Sequence, residues 1–168
     1  MKLKYLAIAL VLSLTFTANA AAQLIAGTPQ DQLFGEIVDA PNLDERLEKA
    51  MQFEREYPDS VVIVQIYTMI MNVYNQQQES APAIEYGEKA LAADEGNIEA
   101  LITLTYNLAL TRQDLPLAIE YGQRAVEAIE AMRSEEPRPG YTPESWAQYA
   151  DSLDASAQGY LNYAETIR

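Results

Sequence analysis

The stretch Ala83-Ile84-Glu85-Tyr86-Gly87-Glu88-Lys89-Ala90-Leu91 returns as Ala118-Ile119-Glu120-Tyr121-Gly122-Gln123-Arg124-Ala125-Val126 after a shift of 35 residues. Self-similarity at a fixed period of about 20–50 residues marks architectures in which one supersecondary unit stacks on the next. In each copy the two alanines are seven residues apart, two helical turns, so they share one face. A methyl group at those positions lets a neighbouring helix come close. Helix-start chemistry precedes each copy. Ser80 is expected as an N-cap with Pro82 in the first turn, and Asp114 with Pro116 stands in the same relation. After the first copy, Gly96 is expected to close the helix and Asn97 to cap the one that follows.

A partner helix is expected upstream of each copy. Before Ala83 come Tyr67, Ile70, Met71 and Tyr74, and before Ala118 come Leu101, Leu104, Thr105 and Leu108, at matching spacings. Here the chain resembles the tetratricopeptide repeat family, whose pattern is W-x2-L-G-x2-Y on helix A and A-x3-F-x2-A-x4-P on helix B. Tyr67 and Leu101 stand at the Trp position, Ile70 and Leu104 at Leu, Met71 and Thr105 at Gly, and Tyr74 and Leu108 at Tyr. Ala83 and Ala118 match the first helix-B alanine; Ala90 and Ala125 match the second. The departures are Gly87 and Gly122 at the large aromatic, with Tyr86 and Tyr121 one place earlier, and Glu95 at the proline. The tyrosines of the repeated stretch are read as packing residues.

The resemblance covers residues 43 to 155 and is closest from 64 to 126. It implies an all-α fold, a right-handed superhelical array of antiparallel helix hairpins, about three units long. Asn42 and Glu45 suggest a capping box opening a further helix B, with Leu43, Leu47 and Ala50 on one face. Trp146, Tyr149, Ala150 and Leu153 repeat the helix-A pattern behind Thr142-Pro143, and the apolar stripe continues through Ala157, Tyr160, Leu161, Ala164 and Ile167. That predicts one long C-terminal capping helix over 143–167. Residues 60–71, rich in β-branched side chains, would pass as a buried strand, but the repeat register predicts a helix there. Residues 133–143, with Pro137, Pro139 and Gly140, are expected to form the one long loop.

The chain begins with Lys2 and Lys4, an apolar run over 5–16, and small residues over 17–22. This predicts a cleavable bacterial signal peptide over 1–20, cut after Ala20 or Ala22, and a periplasmic or secreted protein. Residues 21–41 are expected to be mostly irregular and 42–168 to form the helical domain. After signal removal no membrane insertion is expected.

Composition narrows the chemistry. The chain has 11 Lys+Arg against 25 Asp+Glu, a net charge of -14. Losing Lys2 and Lys4 with the signal leaves 9 against 25, or -16. A surface so acidic repels nucleic acid and anionic lipid. With no Cys and no His, thiolate sites, disulfides and the commonest general base and zinc ligand are absent from the sequence. Acidic pairs such as Glu135 and Glu136 lie in charge-rich helix ends or loops, where nothing apolar would raise a carboxyl pKa. No enzyme activity, cofactor or metal is expected.

In the resembled family, the inner faces of the A helices line a concave groove that holds peptides or partner proteins. Carried over by register, the groove residues are Gln65, Thr68, Met69, Asn72, Asn75 and Gln76, then Glu99, Ile102, Thr103, Tyr106 and Leu110. Gln148 and Asp151 join them from the terminal helix. Side-chain amides both donate and accept, which suits an extended backbone. None of these positions is Lys or Arg, so a clamp for a chain-terminal carboxylate is not expected. The expected partner is a neutral or basic protein or peptide, with homodimerisation through an uncapped end as a further expectation. The alternative is a glycan or small-molecule binder, for which Tyr141 in the loop is the best exposed aromatic candidate.

Overall fold

The computed structural model describes residues 24–168, so the expected signal peptide and its cleavage positions lie outside the described residues. These residues form seven α-helices and no strand: α1 (Pro29–Val38), α2 (Leu43–Glu56), α3 (Ile63–Gln76), α4 (Ser80–Ala93), α5 (Ile98–Thr111), α6 (Leu115–Arg133) and α7 (Pro143–Thr166). Each helix packs on its neighbour in sequence, and α5 also touches α3 and α7. The fold class is all-α.

The strand-like composition of residues 60–71 loses to tertiary packing. α3 buries Ile66, Ile70, Met71 and Val73, a two-sided apolar set that its contacts with α2, α4 and α5 absorb. No side chain caps its N-terminus. Helix-starting chemistry is firm elsewhere. Asn42, Asn97 and Asp114 accept the N–H of Glu45, Ala100 and Leu117 at 2.8, 2.9 and 3.0 Å. Thr142 and Ser145 form a reciprocal capping box ahead of α7, with Pro143 in the first turn.

Three expectations are corrected. Among the described residues 24–41 the segment expected to be mostly irregular is more than half helical, because α1 fills ten of them. Thr28 caps α1 by accepting the Asp31 N–H at 3.2 Å, and Leu33 and Ile37 are buried. An element this short shows too little periodicity to be read from sequence. Ser80 is the first residue of α4 rather than its cap, and Glu79 holds the cap position without a side-chain bond. Gly96 does not close α4. The helix ends at Asp94, whose carboxylate accepts the Gly96 N–H at 3.1 Å.

The alanines at the repeat positions, Ala83, Ala90, Ala118 and Ala125, are fully buried, as are Ile70 and Leu104; Leu101 and Leu108 are nearly so. The glycines of the repeated stretch sit at close approaches. A methyl group on Gly87 would lie 2.8 Å from Leu104 Cγ, and one on Gly122 would lie 3.0 Å from Leu161 Cδ1 and 3.1 Å from Thr105 Cγ2. The large aromatic expected by the resemblance has no room at either place. The ring displaced to Tyr86 packs between Tyr74 and Tyr67, with centroids at 6.0 and 6.3 Å.

The contact to Gly122 places α7 in a different register from the expected one. Leu161 fills it, whereas Trp146 and Ala150 cluster with Met132 at the far end of α6. The reason is length: α6 has 19 residues where α4 has 14. The chain therefore turns back later, and α7 meets α6 in antiparallel fashion with its first turns beyond the repeat.

Candidate functional site

The N-terminal halves of α3 and α5, the α4–α5 turn and the start of α7 enclose a cleft of about 360 Å³. Of the residues expected to form a groove, Gln65, Thr68, Met69, Asn72 and Glu99 line it. Asn72 Nδ2 donates to Glu99 Oε2 at 3.1 Å, and Asn97 Nδ2 donates to Thr68 Oγ1 at 3.1 Å. Thr68 in turn donates to the Val64 carbonyl at 2.9 Å. Thr68 and Asn72 of α3 are thus already paired with Asn97 and Glu99.

The other expected groove residues lie elsewhere. Ile102 and Thr103 are buried, because α5 is packed by α3, α4, α6 and α7 together. Tyr106 stacks on Tyr160 of α7 with centroids 4.8 Å apart. Asn75 accepts from Asn107 at 2.8 Å, and the same buried amide also donates to the Thr103 carbonyl at 2.9 Å. Gln148 is exposed outside the cleft. Asp151 turns to Arg133, its Oδ1 2.6 Å from Nη1. In their place α7 contributes Tyr149 and Leu153, as its shifted register requires.

Besides Tyr149 and Leu153, the contributors that sequence reasoning missed include Asn97, seen only as a cap, Asp94 and Arg138. Arg138 comes from the α6–α7 loop, and its guanidinium lies 5.5 Å from the Trp146 ring centre. No periodic signal could place it, since its position depends on where the loop folds. It gives the cleft one cation beside the carboxylates of Asp94 and Glu99. Burial first, then the negative charge of Glu99, pushes the Tyr149 phenol up.

A second polar cluster lies between α2 and α4. Tyr86 Oη donates to Glu54 Oε2 at 2.8 Å, and Lys89 Nζ lies 3.0 Å from Glu54 Oε1, 3.3 Å from Glu85 Oε1 and 4.1 Å from the Tyr86 ring centre. Burial and the bond to Glu54 raise the Tyr86 hydroxyl to about 12. Burial pulls Lys89 down, but the hydrogen bond and charge of Glu54 outweigh it and leave the ammonium above its usual range. All its groups engage one another, which makes it a clasp between α2 and α4. Among the described residues, no group of three or more carboxylates could hold a metal ion. No helix among them is long and apolar enough to cross a membrane.

No family model matches the chain, and no curated protein matches it closely enough to count as a relative.

Proposed function

We propose that this chain is an exported, tetratricopeptide-repeat-like interaction protein, an adaptor or assembly subunit that holds an extended polypeptide in the cleft between α3, α5 and α7. In this reading α3–α4 and α5–α6 are two successive repeat hairpins of a right-handed array. α1–α2 is a degraded first unit and α7 caps the last. The recurrence of Ala and Gly at the close approaches supports it, as do the helix-starting caps at Asn97 and Asp114. Export through a signal peptide ahead of Ala21 or Gln23 would place the protein in a bacterial periplasm or outside the cell.

The observation that carries the binding role is the cross-helix pairing of amides and hydroxyls along an open cleft. A passing peptide backbone offers the same donors and acceptors, so it can exchange for these pairs without leaving a group unsatisfied. The excess of acid favours a neutral or basic segment. The arrangement supports binding rather than catalysis.

The test is in-cell crosslinking of the tagged protein beside two variants. Asn72→Arg should abolish capture of the dominant partner by filling the cleft and adding a cation. Gln148→Arg, exposed on α7 outside the cleft, should retain it. Capture unchanged by Asn72→Arg would remove the cleft as the site.

A further inference from the structure

A second concavity lies beside the α6–α7 loop. It measures about 360 Å³, and its walls include Pro137, Pro143, Trp146 and Ala150, with Arg133 and Glu135 supplying the charge. That volume sits at the small end of the range for ligand pockets, about 300–1,000 Å³. It suits a residue or two of extended chain rather than a helix.

Two observations say what it would hold. Among the described residues, Trp146 Nε1 is the one buried side-chain nitrogen or oxygen with no hydrogen-bond partner. A buried donor left unpaired costs about 1–3 kcal/mol, so the site lacks an acceptor. Arg133 is engaged by Asp151 at 2.6 Å, Asp154 at 3.5 Å and Glu130 at 3.7 Å. Glu135 makes no ion pair among the described residues, so its negative charge remains available to a ligand. Around Trp146 stand Tyr141 and Tyr149, with centroids at 5.2 and 5.9 Å, and Tyr141 is 42% exposed.

We infer that this pocket binds a proline-rich segment of a partner polypeptide, flanked by a Lys or Arg. A proline backbone presents carbonyl acceptors and no N–H, which matches a site with a donor to satisfy. Its rings pack on aromatic and proline walls, and its extended helix is formed before binding, so little chain entropy is lost. The flanking cation pairs with Glu135. The Trp146 N–H is enclosed, so the residues over it must shift for the segment to reach it. Few backbone bonds hold that loop, Glu135 N–H to the Met132 carbonyl at 3.2 Å and Tyr141 N–H to the Arg138 carbonyl at 3.0 Å, while Arg138 and Tyr141 rest on the Trp146 ring. The pocket shares no lining residue with the cleft, and the two adjoin where Arg138 and Tyr149 of the cleft touch the Trp146 ring.

Trp146 is the sole tryptophan of the chain, so its emission reports directly on the pocket. A lysine-flanked oligoproline peptide should shift that emission saturably, and a lysine-flanked oligoalanine peptide should not. By calorimetry, Trp146→Phe should weaken binding about fivefold by removing one hydrogen bond. Glu135→Gln, exposed and harmless to folding, should weaken it and flatten its salt dependence. Asn72→Arg should leave it unchanged, which keeps the result separate from the cleft. No emission change and no heat with oligoproline would overturn the inference. So would a response to soluble oligosaccharide instead, or full affinity in Glu135→Gln.

Discussion

At the scale of single residues, the repeated stretch separates positions by what a neighbouring helix demands. Gly87 and Gly122 occupy corresponding places but not equivalent ones. A methyl on Gly87 would meet the fully buried Leu104 at 2.8 Å. Overpacking costs about 1–3 kcal/mol, against about 1 kcal/mol gained in helix propensity. Gly87→Ala should therefore lower stability, and Gly122→Ala, with contacts of 3.0–3.1 Å, should lower it less or leave it unchanged. Urea denaturation of the pair checks the order. Tyr86→Phe should cost about 1.5 kcal/mol by removing a bond to a carboxylate that keeps its Lys89 partner. The same hydroxyl sets an alkaline limit. It titrates at about 12 in the folded chain, against 10.0 for an ordinary tyrosine, so the folded state holds the proton more tightly. That contribution is complete below about pH 10 and is lost as the pH rises towards 12. Tyr74, Tyr121 and Tyr149, raised chiefly by burial, act in the same direction. Melting temperature should fall across that window, and less steeply in Tyr86→Phe.

At the scale of elements, capping explains which helices the sequence announces. Asn97 both caps α5 and donates to Thr68 of α3, so it ties a helix end to the wall of the cleft. Asn97→Ala should cost about 1–2 kcal/mol, read by chemical denaturation. Asn97→Asp, which keeps the cap but removes the amide donor, should recover much of the stability yet leave the link to Thr68 broken. α3 is the opposite case. No side chain caps it, and its composition favours a strand, so its helicity comes from the helices around it.

At the scale of the whole molecule, each helix packs on its neighbours in sequence, and α7 packs on both α5 and α6. Ala157, Leu161 and Ala164 are the buried stripe of that packing. A chain ending after Arg133 should lose its sharp unfolding transition, because the faces of α5 and α6 beneath α7 would open to water. A broad, low-amplitude melt by circular dichroism is the expected result, and a sharp transition retained would show that α5 and α6 are stable uncovered.

Much of this was legible in the residues. The alanine spacing, the caps at Asn42, Asn97, Asp114 and Thr142, and the long apolar stripe after Pro143 placed six of the helices near their observed bounds, because periodicity and capping are local and written in sequence. Gln65 and Asn72 of α3 were legible as cleft residues through the repeat register, whereas Asn75, expected beside them, pairs with Asn107 and Gln76 lies outside the cleft. What only the tertiary structure decided depends on helix length and register between elements. Five extra residues in α6 relative to α4 slide α7 along it. Leu161 then faces Gly122, Trp146 is carried to the loop, and Tyr149 replaces Gln148 in the cleft wall. Pairing of Asp151 with Arg133 follows from that slide, burial of Ile102 from the four helices around α5, and the entry of Arg138 into the cleft wall from where the loop folds. A repeat period states which face packs, but the partner met by each residue is set by where the chain turns back.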